Sequence, residues 1–193
     1  MMRVLFLFTI SLFFIACSSS KTPYAWQGQT KSYLEKYQEM MLKGDFFQAK
    51  YYLDDAIKEA KNDVTLETLS IVYLSQCAMK KAMTLKTECQ SYEALKRAGL
   101  KSKHDDYKKM LLSQEVDDIS ALGQYSSLYK GIQKKEVTLS DIKSLGTIYT
   151  QAIGAILVNN HGLMNEKIIN YMIDKASAEN MKGLMLIWLK KSQ

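Results

Sequence analysis

The feature that most constrains the fold of this chain is the lack of proline over most of its length. The only proline is Pro23, and none occurs in the 164 residues from Thr30 to Gln193. Along that stretch apolar residues recur three and four positions apart, the spacing of one buried face of an α-helix. Proline interrupts helices, and apolar residues at this spacing form the buried face of an amphipathic helix. The sequence therefore predicts an all-α fold.

Turn residues divide this stretch into short helices. The first is predicted from about Ser32 to a break at Gly44-Asp45, and the second ends at Asn62-Asp63. A capping box at Thr87–Gln90 is predicted to open a fourth helix, which Gly99 ends. The later helices are predicted at about 105–112, 117–132, 140–158, 166–173 and 181–189. Short helices joined by tight turns predict antiparallel helix pairs in a single domain, residues 31–193.

The first sixteen residues have the organisation of a secretory signal. Met1-Met2-Arg3 carries positive charge, and the twelve residues from Val4 to Ile15 are apolar apart from Thr9 and Ser11. Crossing a bilayer takes about 20 apolar residues. The stretch therefore predicts a removed signal peptide, residues 1–16, rather than a permanent membrane span.

Phe14-Ile15-Ala16-Cys17 resembles the lipobox of bacterial lipoproteins, although Phe14 stands where that family favours Leu. The resemblance implies cleavage between Ala16 and Cys17 and acylation of Cys17, which makes the membrane one partner. Ser18 is not the Asp that retains such proteins in the inner membrane, so we expect an outer-membrane anchor facing the periplasm. Residues 17–30 are expected to form a flexible tether. An ordinary secretory signal with a chance cysteine is the alternative.

The kind of basic residue argues against a nucleic-acid partner. The chain has 26 Lys+Arg and 20 Asp+Glu, for a net charge of +6, but Arg97 is the only arginine after Arg3. Arginine is the residue that binds phosphates and base edges with two parallel hydrogen bonds. A lysine-dominated chain without a dense basic run predicts a solvated helical surface instead.

Residues 44–57 resemble the second half of a tetratricopeptide (TPR) repeat, with glycine at the turn, an aromatic residue two positions later, and Ala49, Leu53 and Ala56 at the family's small and apolar positions. The resemblance covers about residues 33–98, and residues 139–157 match a first helix only. It implies a short solenoid of stacked helix pairs. An irregular helical bundle is the alternative, because amphipathic helix pairs reproduce much of this pattern.

The TPR resemblance also implies a partner-binding groove. The family's concave-face positions fall on Leu34, Gln38, Met41, Leu42, Glu67, Ile71 and Leu74. Such a face would bind a peptide or helix of another protein. The other interpretation is that these side chains are buried against a neighbouring helix.

The two cysteines that follow Cys17 are twelve residues apart. Cys77 and Cys89 lie at equal distances from Met83, near a predicted turn between antiparallel helices. Residues so placed can face each other across the turn, and a periplasmic compartment permits a disulfide. Two reduced, buried thiols are the alternative.

No motif in the sequence predicts catalysis, a metal site or a cofactor. The two histidines, His104 and His161, have no metal-ligand spacing around them, and no nucleophile elbow or phosphate-binding loop occurs. We therefore expect a non-enzymatic, lipid-anchored scaffold that binds another cell-envelope protein. A structural lipoprotein without a dedicated partner is one alternative, and a cell-wall-binding or hydrolytic protein is the other.

Overall fold

The computed structural model describes residues 25–193 and is all-α. The predicted signal peptide, the lipobox and most of the predicted tether lie outside these residues. The helices are α1 (Ala25–Lys43), α2 (Phe46–Ala60), α3 (Glu67–Ala82), α4 (Gln90–Arg97), α5 (Asp105–Leu111), a 3₁₀ segment (Ile119–Tyr125), α6 (Ser126–Lys134), α7 (Leu139–Lys143), α8 (Ile148–Asn160), α9 (Glu166–Ala178) and α10 (Lys182–Lys191).

The first two helices form an antiparallel hairpin. Gly44 ends α1 with a φ of +84°, a conformation that glycine adopts without steric cost. The Asp45 carboxylate then accepts a hydrogen bond from the Gln48 backbone N–H at 3.0 Å and caps α2. The turn predicted at Gly44-Asp45 is confirmed.

Helix α8 lies at the centre of the fold, packed against α3, α7 and α9. It is apolar on all sides and buried along almost its whole length, from Gln151 to Val158. The one polar side chain in that run, Gln151, accepts a hydrogen bond from the Tyr171 hydroxyl at 3.0 Å. A helix without a polar face has to be surrounded by other helices.

Helices distant in sequence also pack together, because α10 contacts α1 and α8 contacts α3. In a solenoid each repeat contacts only its neighbours. Because α10 packs onto α1, the helices form a closed bundle on the α1–α2 hairpin. Within residues 25–193, no helix combines the length and the hydropathy that crossing a bilayer requires.

Several predicted boundaries are wrong. Helix α1 begins at Ala25, so the last residues of the predicted tether at 17–30 are helical. The predicted capping box does not form, since α4 begins at Gln90 and the buried Thr87 side chain accepts a hydrogen bond from the Cys89 backbone N–H.

Two helices that were predicted as continuous are broken. Gly123 adopts a non-helical conformation within the 3₁₀ segment that precedes α6. The helix predicted from residue 140 is two helices, because Thr147 starts α8 with its own cap. Asp141 accepts a hydrogen bond from the Thr138 backbone N–H at 2.7 Å and so fixes the start of the short α7. Side-chain caps at Thr138 and Thr147 therefore decide where α7 and α8 begin.

Candidate functional site

An open groove of about 600 Å³ lies between α1, α3, α8 and the 3₁₀ segment. Leu34 and Gln38 of α1 and Ile71 and Leu74 of α3 line one side of it. Its volume is in the range of sites that bind small ligands or a few side chains of a partner. Ile71 keeps 45% of its surface exposed, although it lies among the apolar side chains of this wall.

The other side of the groove carries three tyrosines, Tyr107, Tyr125 and Tyr149. The ring centroids of Tyr107 and Tyr125 are 5.8 Å apart, with the ring planes tilted by 46°. Burial raises the pKa of Tyr107 to about 12, and burial also raises the pKa of Tyr125. Both hydroxyls are therefore protonated at neutral pH, and the wall presents neutral aromatic rings.

Hydrogen bonds between α1 and α3 hold the groove open. The side-chain amide of Gln38 donates to the Ser75 hydroxyl at 2.9 Å. One residue earlier, the buried Tyr37 hydroxyl donates to the Gln76 carbonyl at 3.4 Å, and burial raises the pKa of Tyr37. Because two bonds fix the spacing of the helices, the groove is preformed.

His104 stands at the edge of the groove and joins two helices. Its Nε2 lies 3.0 Å from Oε1 of Glu67, so the imidazole at the start of α5 is bound to the first turn of α3. In the described part of the chain, no serine, threonine or cysteine side chain is hydrogen-bonded to the His104 ring. The pair fixes α5 against α3.

The predicted groove residues divide into three groups. Leu34, Gln38, Ile71 and Leu74 line the groove, although Leu74 is only 4% exposed. Glu67 lies beside it, against His104. The prediction is wrong for Met41 and Leu42, which are buried in the core, because α2 and α10 both pack on α1.

The tyrosine wall was missed by the sequence analysis. The TPR resemblance covers about residues 33–98, whereas Tyr107, Tyr125 and Tyr149 follow that range. They meet the α1–α3 wall only because α8 packs on α3 and the 3₁₀ segment follows α5. No local spacing in the sequence records this long-range packing.

The structure joins Cys77 of α3 to Cys89, the residue before α4, in a disulfide with a Cα–Cα distance of 5.1 Å. This is the pairing that the sequence analysis weighed against two free thiols. Among residues 25–193, no group of three or more His, Cys, Asp or Glu side chains is arranged to hold a metal ion. Ala16 and Cys17, the predicted cleavage and lipidation residues, lie outside the described residues.

No family model matches this chain, and neither do the curated proteins or solved structures with which it was compared.

Proposed function

We propose that this protein is a lipid-anchored helical scaffold of the bacterial cell envelope, which binds a segment of another envelope protein in the groove. The observation that supports this most directly is the exposure of Ile71 within an apolar concave wall. Apolar side chains gathered on a concave surface favour association with a partner. The hydrogen-bonded spacing of α1 and α3 means that a partner would bind without first ordering the groove.

The anchor in this proposal is Cys17, as its lipobox resemblance implies. Several acyl chains hold a protein firmly, since each buried CH₂ contributes about 0.8 kcal/mol. From Cys17 to the start of α1 at Ala25 the chain spans at most about 29 Å. The proposal therefore places the groove close to a membrane, facing the periplasm, where an envelope partner would be found.

The rival functions differ in what they require of the surface. A lipoprotein with no dedicated partner needs no concave apolar face, so the groove supports the scaffold. A hydrolase that attacks through a serine, threonine or cysteine side chain needs that side chain hydrogen-bonded to a base. His104 is instead bound to Glu67, and we assign no catalytic step to this pair.

The experiment that tests the scaffold is site-specific photocrosslinking in cells. A photoreactive amino acid replaces Ile71 in the groove and, as a control, the fully exposed Val64 outside it. We expect one dominant envelope protein crosslinked at position 71 and not at position 64. The same adducts at both positions would contradict a partner site in the groove.

A Cys17→Ala strain tests the anchor in the same experiment. We expect this variant to lose the incorporation of a labelled fatty acid and most of the crosslink at position 71. Unchanged labelling would contradict acylation of Cys17. A full crosslink without labelling would show that the partner binds independently of the anchor.

A further inference from the structure

Among the described residues that line the groove, Glu35 is the one carboxylate, and its ion pair is long and exposed. Its Oε1 lies 3.9 Å from Nζ of Lys31, and both side chains are largely exposed. An exposed pair at this distance contributes little stability, so a ligand cation would displace Lys31 at small cost. The histidine on that lining, His104, is already bound to Glu67.

The lining of the groove also differs in composition from the rest of the chain. Among the described residues that line it, none is lysine or arginine, although the chain has 26 of these residues. Burial raises the pKa of Tyr149, and the charges of Glu39, Glu179 and Glu35 raise it further, while the charge of Lys43 lowers it. Glu39 is paired with Lys43 at 2.5 Å and Glu179 with Lys175 at 2.7 Å.

The rest of the lining suits a cation that carries apolar neighbours. The faces of tyrosine rings attract ammonium and guanidinium groups, and Tyr149 lines the same groove as Glu35. Leu34 and Ile71 would contact apolar side chains beside the cation. At about 600 Å³ the groove has room for a few side chains rather than for a whole helix.

We infer that the groove recognises an apolar polypeptide segment with one basic side chain, which pairs with Glu35. The inference rests on the proposed function, because it takes the occupant to be a partner protein. Its basis is charge complementarity: the described lining has three tyrosines, one carboxylate and no lysine or arginine, whereas the chain as a whole has a net charge of +6. The electrostatic field of a positively charged chain attracts acidic ligands. A preference for basic ligands would therefore have to come from the side chains of the groove itself.

Immobilised synthetic peptides of 15 residues test the inference. They share the same leucines and differ at one flanking position, which is Arg, Gln or Glu. The full chain, purified in mild detergent, is applied to all of them. We expect at least about tenfold stronger binding to the Arg peptides than to the Glu peptides, the effect of about 1.4 kcal/mol.

Variants connect this preference to the groove. Glu35→Gln is expected to reduce the Arg preference to less than about threefold, and Glu35→Lys to reverse it. Glu88→Gln makes the same change of charge at an exposed residue outside the groove and is expected to leave the preference unchanged. Ile71→Ser is expected to weaken binding of all the peptides, whereas Val64→Ser is not.

Three results would overturn the inference: equal or stronger binding to the Glu peptides, an Arg preference that persists in Glu35→Lys, or no binding of any peptide. A lipid that co-purifies with the chain and is lost in Ile71→Ser would assign the groove to a lipid and overturn it too. A partner crosslinked at Ile71 without an Arg preference would leave the proposed function standing and remove only the basic ligand.

Discussion

Gly183 of α10 lies against Gly44 at the α1–α2 turn, with no room for a side chain between the two backbones. A Cβ atom on Gly183 would stand 2.7 Å from the Gly44 nitrogen and 3.0 Å from the Leu42 carbonyl oxygen. Helix α10 therefore packs directly against the α1–α2 hairpin, and this contact closes the bundle.

Replacing Gly183 by alanine should therefore destabilise the protein. All the atoms within 3.0 Å of the new Cβ belong to backbone, so α10 has to move, and overpacking of this kind costs about 1–3 kcal/mol. The free energy of unfolding in urea measures the effect. Gly28→Ala is the matched control in α1, where a Cβ meets nothing within 4 Å, and it should be neutral or stabilising. Equal effects of the two variants would contradict the close approach.

The disulfide predicts a response to reductant. Cys77–Cys89 closes a loop with a separation of 12 residues, and cross-links of this size typically contribute about 3 kcal/mol by restricting the unfolded chain. We expect dithiothreitol to lower the urea midpoint of the wild type. The double variant Cys77→Ala/Cys89→Ala should show the lower midpoint with or without reductant. A wild type that reacts with an alkylating reagent before reduction would contradict the bond.

How much of this fold the sequence predicts depends on the range of the contacts involved. The Gly44-Asp45 turn and the start of α9 at residue 166 are confirmed, since each is fixed by a side-chain cap within a few residues. The break at Thr147 was missed because the apolar spacing continues across it, and the bonds between Thr147 and Thr150 decide where α8 begins.

The groove was predicted only in part for the same physical reason. Leu34, Gln38 and Ile71 stand at concave-face positions that the TPR resemblance implies, and they do line the groove. Leu42 has an equally suitable position in sequence, but α10 packs on that part of α1 and the side chain is fully buried. Contacts between residues more than a hundred positions apart leave no local pattern.

A residue just after the C-terminal end of α3 has a strained backbone conformation, which a substitution can relieve. Thr84 has a φ of +55°, and its N–H and that of Leu85 donate to the carbonyls of Lys81 and Lys80, which together form a Schellman motif. A non-glycine residue in this left-handed conformation destabilises the folded state by about 1–2 kcal/mol. Glycine avoids this strain, but its greater conformational freedom stabilises the unfolded state by about 0.5–1 kcal/mol. Thr84→Gly should thus stabilise the protein by about 0.5–1 kcal/mol.

The reverse change gives the matched comparison. Gly99 occupies the same position after α4, with a φ of +97° and nothing within 4 Å of a Cβ. Gly99→Thr should destabilise by a similar amount, measured by thermal and urea unfolding. Destabilisation by Thr84→Gly would show that the threonine side chain has a contact that outweighs its backbone strain.

The last prediction concerns acid. Asp105 connects α5 to α4, since its carboxylate accepts hydrogen bonds from the Tyr92 hydroxyl, at 2.8 Å, and from the Lys96 ammonium. Burial raises the pKa of Asp105, but these bonds and the charges of Lys96 and Lys108 outweigh it, so the pKa lies below its ordinary value. A lowered carboxyl pKa stabilises the fold above the unfolded-state pKa of about 3.9, and this contribution is lost as the pH falls through the folded-state pKa.

Asp105→Asn should accordingly lower the free energy of unfolding at pH 7, and its difference from the wild type should shrink as the pH falls from about 5 to 3. Urea unfolding at several pH values measures this. Asp174→Asn changes the same charge at an exposed site on α9, where the described residues offer the carboxylate no hydrogen bond, and should leave the stability at pH 7 nearly unchanged. If the difference between Asp105→Asn and the wild type stayed constant down to pH 3, the carboxylate would not be held ionised by Lys96 and Tyr92.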